Sequence, residues 1–186
     1  MTIHSFFQLP PKIHEEEDIK LAHNKKLYKK LDLLMIDEVS MVRCDLLESI
    51  DKFLRKNRSS TKPFGGVQLL LVGDLFQLPP VVPDHEWDVL EARGYDSPYF
   101  FSAFGLKNIA MSPVELTSIY RQEDRTYIDV LNRLRVGEDM ESVIDILNRQ
   151  SCVEDFFQPE ITLTCTNRLA DKINGHELNS LEAEEH

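Results

Sequence analysis

The sequence has few cysteines and no long apolar run, and each shortage excludes a class of protein. Its 186 residues contain only three cysteines, Cys44, Cys152 and Cys165, which stand far apart without CxxC spacing. They therefore form neither a disulfide framework nor a zinc site, and we expect buried or inert thiols. No apolar stretch approaches the roughly 18 to 20 residues that cross a bilayer, and the first residues lack the basic-then-apolar order of a signal peptide. We expect a soluble, intracellular protein without a membrane partner.

Positive charge is also scarce, with 21 basic against 32 acidic residues and a net charge of −11. Because phosphate binding needs local positive charge, this balance at first argues against a nucleic-acid partner. The deficit is uneven, however, since residues 1–62 hold 12 basic and 10 acidic residues, and residues 63–186 hold 9 and 22. Two basic clusters in the first third could either follow a phosphate backbone or form solvated helix faces: Lys25, Lys26, Lys29, Lys30 and Arg55, Lys56, Arg58, Lys62.

The order of apolar segments indicates an α/β fold. Residues 33–36 and 67–72 are short apolar runs that end at polar residues, as buried strands do, and residues 45–58 between them have helical spacing. Strand, helix, strand is the βαβ unit of a parallel sheet, and we expect helices on both faces of that sheet. The pattern also predicts a third strand at 161–165. Further helices are predicted around 16–30, 87–92, 127–135 and 140–147, and from residue 167 onward.

Polar residues that could carry chemistry follow the first two predicted strands. In an open α/β sheet, ligands bind beyond the carboxyl ends of the strands. Asp37 and Glu38 come directly after the first strand, in the arrangement by which nucleotide-hydrolysing enzymes hold Mg²⁺ and polarise a water molecule. Gln77 follows the second strand and could contact a terminal phosphate through its amide. Arg121 could stabilise charge on a transferring phosphoryl group, although a lone arginine is more often a surface side chain.

Taken together, these segments resemble the PIF (petite integration frequency) DNA helicase family, in the RecD-like branch of helicase superfamily 1. Motif II alone occurs in many ATPases, whereas the ordered set is specific. The matching segments are residues 2–7 (motif Ia), 34–41 (motif II, Walker B), 71–80 (motif III) and 116–122 (motif IV), with a family signature over residues 51–68.

The resemblance implies a RecA-like domain that couples ATP hydrolysis to 5′-to-3′ translocation on DNA, with roles in replication, repair and telomere maintenance. Asp37 would hold Mg²⁺ through water and Glu38 would be the general base. Gln77 would sense the γ-phosphate and Arg121 would be the arginine finger. The implied partners are ATP and single-stranded and forked DNA, bound by a monomer. The implied DNA-binding residues are His4, Ser5, Phe6, Phe7, Pro79, Lys25 and Lys26, although we expect one of the two phenylalanines to pack in the core.

The match departs from the family pattern at two places. None of the seven glycines belongs to a phosphate-binding P-loop, and nothing resembles the later helicase motifs V and VI. We therefore expect most of a first RecA-like domain at residues 1–158, with a possible DNA-splitting wedge at 8–30, and the beginning of a second domain at 159–186. Such a fragment should not hydrolyse ATP by itself. The expected compartment is the cytoplasm and nucleoid in a bacterium, or the nucleus or mitochondrion in a eukaryote.

Three other interpretations remain open at this point. The chain could be part of a different P-loop ATPase that shares only the Asp-Glu strand end. It could be a non-catalytic interaction module whose acidic residues are surface. It could also be a metal-dependent nuclease, although such enzymes usually gather three or more converging acids around Mg²⁺.

Overall fold

A computed structural model describes residues 1–107, 109–151 and 161–180 of the chain. The chain divides into two compact units, Met1–Val136 and Gly137–His186. The predicted boundary between residues 158 and 159 lies outside the described residues and stays a prediction.

The first unit contains the predicted βαβ element. Strand β1 (Leu33–Ile36) pairs in parallel with strand β2 (Gln68–Leu71), with Leu33 opposite Gln68 and Ile36 opposite Leu71. Helix α3 (Cys44–Arg58) connects the two strands along the chain. The prediction of a parallel α/β sheet is therefore confirmed.

Helix α3 forms because its sequence has one apolar stripe and a basic end. Leu47, Ile50 and Leu54 are fully buried on that stripe, and their spacing places them on one side of a helix. The last turn carries Arg55, Lys56 and Arg58, whose charges favour the negative end of the helix dipole.

The described residues form six further helices. In the first unit these are α1 (Ile3–Phe7), α2 (Lys25–Lys29), α4 (Asp84–Ala92) and α5 (Arg125–Val136). In the second unit they are α6 (Met140–Ser151) and α7 (Asn167–Ser180). Short 3₁₀ turns occupy Glu16–Asp18, Val39–Met41, Pro63–Gly66, Phe100–Ser102 and Phe104–Leu106. The helices predicted at 45–58, 87–92, 127–135 and 140–147 are confirmed, as is the last one over residues 167–180, and its predicted continuation lies outside the described residues. Within the described ranges, no helix is both long enough and apolar enough to span a bilayer.

The main core lies between α1, α3 and the sheet, and a smaller one lies beside α4. Phe7, Phe53 and Phe64 are the largest fully buried side chains of the main core. The smaller core joins Cys44 with Leu90 and Tyr95. The segment 77–105 is fixed to the start of α3 by the Cys44 amide, which donates to the Pro98 carbonyl at 2.9 Å.

The helix predicted over residues 16–30 does not form as one continuous helix. The backbone makes a 3₁₀ turn, leaves helical geometry, and becomes helical again only at α2. The Ala22 amide donates to Asn57 Oδ1 of α3 at 2.8 Å, so it is not used in a local helical bond. Ile19 and Ala22 are buried, whereas Leu27 is 46% exposed and Tyr28 is buried beside it.

Two strand predictions also need correction. The alternate residues Leu33 and Met35 of β1, and Leu70 beside them on β2, are about half exposed, so the two strands are buried on one face only. Residues 161–165, predicted as a strand, do not form one, because no described residue pairs with their backbone. Cys165 at its end is exposed, whereas Cys44 is buried, and Cys152 lies outside the described residues.

Candidate functional site

The carboxyl ends of β1 and β2 stay aligned beyond the last paired residues. The Val72 amide donates to the Ile36 carbonyl, and the Val39 amide donates to the Val72 carbonyl, both at 2.9 Å. Asp37 and Glu38 lie between these two links and are exposed. The backbone therefore presents both predicted carboxylates at one edge of the sheet.

Glu38 has a backbone conformation that side chains rarely adopt. Its φ and ψ are 51° and 42°, in the left-handed region, at the start of the turn Val39–Met41. Holding a non-glycine residue there costs of order 1 kcal/mol or more, and such positions cluster at functional sites. The Glu38 amide donates to Asp37 Oδ1 at 3.0 Å, which orients the first carboxylate. No sequence pattern indicated this strain.

Gly73 is the point of closest approach between the two strand-end segments. A Cβ atom at Gly73 would lie 3.0 Å from the Val39 nitrogen, 3.1 Å from Val39 Cγ1 and 3.2 Å from the Ser40 nitrogen. These distances are shorter than ordinary van der Waals contact. The absence of a Cβ atom therefore lets the segment carrying Gln77 pack closely against the segment carrying Asp37 and Glu38.

The loop after Gly73 is organised around the carboxylate of Asp74. Asp74 accepts hydrogen bonds from the Phe76 amide at 3.0 Å and from Gln77 Nε2 at 3.3 Å. Arg135, on helix α5, donates to the same carboxylate at 3.1 Å. Burial alone would raise the pKa of Asp74, but the hydrogen bonds from Arg135, Phe76 and Gln77 outweigh it and hold the pKa below its ordinary value.

Arg135 was not among the site residues predicted from the sequence. It lies 61 residues from Asp74 along the chain, and its position within the helical pattern gave no sign of a partner. Only the packing of α5 beside the loop shows the connection.

Gln77 and Pro79 are both exposed, as a contact residue for nucleotide or DNA must be. Leu75, Phe76 and Leu78 between or beside them are 52%, 62% and 67% exposed. The loop therefore presents apolar side chains together with the Gln77 amide, which suits contact with bases as well as with phosphate.

Arg121 lies in an exposed segment without helix or strand. Within residues 1–107, 109–151 and 161–180, no hydrogen bond or ion pair joins Arg121 to Asp37, Glu38 or Gln77. The described structure does not bring the predicted arginine finger into contact with the strand ends, and its role stays a prediction.

Helix α1 separates the predicted DNA-binding residues into two groups. Phe7 is 1% exposed and packs against Phe53, with ring centroids 5.4 Å apart. Its ring therefore belongs to the core and not to a DNA channel, which corrects its assignment and confirms that one of the two phenylalanines packs inside. Phe6 is partly buried and edge-on to Tyr28 at 5.4 Å, so it retains only a limited exposed edge.

His4 and Ser5 line a groove of about 590 Å³ with polar and basic walls. Burial, followed by the nearby His14 and Arg43, lowers the pKa of His4, so the ring is neutral at neutral pH and can accept or donate a hydrogen bond. The groove also contains Gln8, Leu9, Pro10, Lys12, Asp18 and Lys20.

The two basic clusters differ in what they do. Arg58 donates through Nη1 to the Leu31 carbonyl at 2.9 Å and to the Tyr28 carbonyl, and through Nε to the Gly65 carbonyl at 2.9 Å. Lys56 donates to the Ile19 carbonyl. Arg58 and Lys56 therefore hold neighbouring backbone in place.

The cluster on α2 is different, since Lys25, Lys26, Lys29 and Lys30 are all exposed. Residues 8–30, the predicted wedge, are thus fixed to α3 on one side. On the other side they carry lysines that are accessible to a partner. The geometry is compatible with a DNA-facing element, and contact with DNA stays a prediction.

The described residues contain no group of three or more His, Cys, Asp or Glu side chains that could hold a metal ion. A nuclease site built from converging acids therefore has no support in that part of the chain. Asp37 and Glu38 supply carboxylate oxygens, the donors Mg²⁺ prefers when it also binds phosphates and waters. The residues present fit an ion shared with a nucleotide.

Comparison with known proteins gives a consistent result. The family model described as PIF1-like helicase matches residues 1–143. The ATP-dependent DNA helicase RRM3 of Saccharomyces cerevisiae is 35% identical over 177 residues, which cover 94% of this chain and 23% of that protein.

Solved structures agree with the sequence relatives. The Pif1 helicase from Bacteroides, solved with ADP-AlF3 and single-stranded DNA, matches with a TM-score of 0.88 and 35% identity over 98% of this chain and 44% of that one. A structure of two coordinating Pif1 helicases unwinding forked double-stranded DNA matches with a TM-score of 0.84 and 37% identity, over 100% of this chain and 44% of that one. The chain therefore spans less than half the length of these relatives.

Proposed function

Because this chain belongs to the PIF1-like helicase family, we propose that the protein containing it is an ATP-dependent DNA helicase that moves 5′ to 3′ on single-stranded DNA. The observation that carries the proposal is the packing of two strand-end segments. Gly73 allows the loop with Gln77 to lie against the segment with Asp37 and Glu38. Residues that would bind metal, activate water and sense phosphate thereby share one edge of a RecA-like sheet.

Each residue at this edge has a chemical role in the proposal. Asp37 would hold Mg²⁺ bound to the nucleotide, and that ion supplies charge neutralisation on the phosphates. Glu38 would accept a proton from the attacking water, for which its exposed carboxylate is suited. Gln77, with its Nε2 held by Asp74, would direct its Oε1 toward the terminal phosphate region. Arg121 would contribute positive charge there in the active complex.

Single-stranded DNA would follow α1 and the groove beside it. His4 and Ser5 line that groove, where Lys20 supplies positive charge and Lys12 is paired with Asp18 at 2.8 Å, and Pro79 belongs to the exposed loop after β2. The exposed lysines of α2, including Lys25 and Lys26, would contact the duplex at a fork. The related Bacteroides protein was solved with single-stranded DNA, which supports this choice of partner. A monomeric state stays a prediction, since a related structure contains two coordinating helicases.

We further infer that residues 1–186 alone do not hydrolyse ATP, because their sequence contains no glycine-rich loop with Lys and Ser or Thr to enclose the phosphates. ATP turnover by the purified 186-residue chain that Glu38→Gln abolishes would contradict this inference. The same turnover unaffected by Glu38→Gln would indicate a contaminating ATPase.

Strand separation by the full-length protein tests the proposed activity. We expect ATP-dependent unwinding of a duplex with a 5′ single-stranded tail and at least about tenfold slower unwinding of the same duplex with a 3′ tail. Lys25→Glu with Lys26→Glu should weaken binding to the fork and reduce the salt dependence of that binding, since two phosphate contacts are lost. No unwinding of either duplex by a protein that binds ATP would refute the proposed activity.

A further inference from the structure

The loop that carries Gln77 is held by a side chain that lies outside the four helicase motifs and the family signature. Arg135 approaches the Asp74 carboxylate with two nitrogens, Nη2 at 3.1 Å from Oδ1 and Nε at 3.0 Å from Oδ2. This fork-to-fork geometry fixes both the distance and the plane of the carboxylate. A lysine could not reproduce it, because an ammonium group is a point charge.

Arg135 makes a second contact with the same loop, through the ring of Phe76. The Arg135 guanidinium carbon lies 5.0 Å from the centre of the Phe76 ring, within the range of a cation–π interaction. Phe76 is 62% exposed, so this contact, and not burial in a core, restrains its ring. Arg135 therefore contacts two of the four residues between Gly73 and Leu78.

The restraint reaches Gln77 through Asp74. Gln77 Nε2 donates to Asp74 Oδ2 at 3.3 Å, and the Gln77 amide donates to the Asp74 carbonyl at 3.0 Å. The carboxylate that Arg135 holds is thus the group that orients the Gln77 side chain. Loss of Arg135 would leave the Phe76 amide as the other donor that holds this carboxylate, and the Gln77 side chain would be oriented less firmly.

We propose that Arg135 is a positioning residue that couples helix α5 to the nucleotide-sensing loop. Arg121 lies in the segment that leads into α5, so a shift of that segment would be transmitted through Arg135 to Asp74 and then to Gln77. The proposal rests on the proposed function, since it assigns the orientation of a residue that would face the terminal phosphate. It adds a route by which two separate parts of the chain act on that phosphate together.

The first test measures DNA-stimulated ATP hydrolysis by the full-length protein. Arg135→Gln should lower kcat about tenfold, the size expected for a misplaced reacting group, and change KM for ATP by less than about twofold. The kcat of Arg135→Lys should lie between those of the wild type and Arg135→Gln, because lysine keeps the positive charge but cannot form the paired hydrogen bonds to the carboxylate. Arg125→Gln is the matched control, since it removes an exposed arginine from the same helix and should leave kcat unchanged.

Combination with Gln77→Ala separates positioning from general destabilisation. If Arg135 acts through Gln77, adding Arg135→Gln to Gln77→Ala should lower kcat by less than about twofold further. The full tenfold loss on that background, or equal losses in kcat and thermal stability for Arg135→Gln and Arg125→Gln, would overturn the proposal.

Hydrogen–deuterium exchange tests the same contact without requiring activity. In Arg135→Gln the amides of Phe76 and Gln77 should exchange at least about threefold faster, while those of β1 and α3 keep the wild-type rate. Unchanged exchange in the loop would overturn the proposal. If the wild-type protein hydrolyses no ATP but the loop exchange rises, the proposed function fails and the positioning contact stands.

Discussion

Replacement of Gly73 by alanine tests whether the two strand-end segments must touch. The new methyl group would meet the Val39 nitrogen at 3.0 Å and the Ser40 nitrogen at 3.2 Å. Both atoms are backbone, and the Val39 amide is tied to the Val72 carbonyl at 2.9 Å, so neither can rotate away as a side chain could. The segments must separate by a few tenths of an ångström. Overpacking of this kind costs about 1 to 3 kcal/mol in the free energy of unfolding.

Two other glycines provide a graded series with the same chemical change. At Gly65, φ is +64° and a Cβ would meet Arg58 Cδ at 2.6 Å and the Leu54 carbonyl oxygen at 2.9 Å, so Gly65→Ala should destabilise more than Gly73→Ala. Gly175 lies in helix α7, and among the described residues no atom other than its chain neighbours and the backbone of its own helix lies within 4 Å of its Cβ position. Gly175→Ala should therefore be neutral or should stabilise that helix by up to about 1 kcal/mol.

Chemical denaturation followed by fluorescence of Trp87, the single tryptophan, reports on the first unit. In this readout Gly73→Ala should be less stable than wild type and Gly65→Ala less stable still, whereas Gly175→Ala, in the second unit, should leave the transition of the first unit unchanged. In the full-length protein, kcat for ATP hydrolysis should fall about three- to tenfold in Gly73→Ala, because Glu38 is displaced, and much less in Gly65→Ala. Wild-type stability and wild-type kcat in Gly73→Ala would refute the close packing of the two segments.

Three further predictions concern the core, the thiols and the strand-end loop. Phe7→Ala should lower the free energy of unfolding by about 3 to 5 kcal/mol and Phe6→Ala by clearly less. Equal losses in denaturation would contradict the burial of Phe7. Burial raises the pKa of Cys44 to about 11, so at pH 8 this thiol should resist a disulfide reagent that modifies Cys165, and rapid labelling of Cys44 in the native protein would count against its burial. Asp74 is held below its ordinary pKa of 3.8, so its ionised form stabilises the fold above that pH, and this contribution disappears as pH falls through the lower folded value. The stability difference between wild type and Asp74→Asn should therefore shrink below about pH 4, and a difference that is constant with pH would contradict the contribution of the charge.

Local patterns predicted the parts of the fold that depend on local periodicity. The spacing of Leu47, Ile50 and Leu54 indicated α3, and the apolar run at 33–36 indicated β1 with Asp37 and Glu38 at its end. The segment 16–30 has an equally regular spacing, yet its backbone bonds with Asn57 and Lys56 of α3 replace the helix. Such long-range competition leaves no trace in a local pattern.

The candidate site shows the same division. Its residue types were predictable, because carboxylates and an amide follow two strands of one sheet. The strained backbone of Glu38 and the connection from Arg135 to Asp74 were not, since both depend on how distant segments pack. For Phe7 the residue type was misleading, because an aromatic side chain that suits stacking on DNA bases packs in the core instead.

The most direct test of the account is ATP hydrolysis by the full-length protein with and without single-stranded DNA, for wild type and Glu38→Gln. We expect single-stranded DNA to stimulate ATP hydrolysis by the wild-type protein. Glu38→Gln should bind ATP with unchanged affinity but hydrolyse it at least about a hundredfold more slowly, because a general base is lost. DNA-stimulated hydrolysis that survives Glu38→Gln would show that the strand-end carboxylates are not the catalytic site.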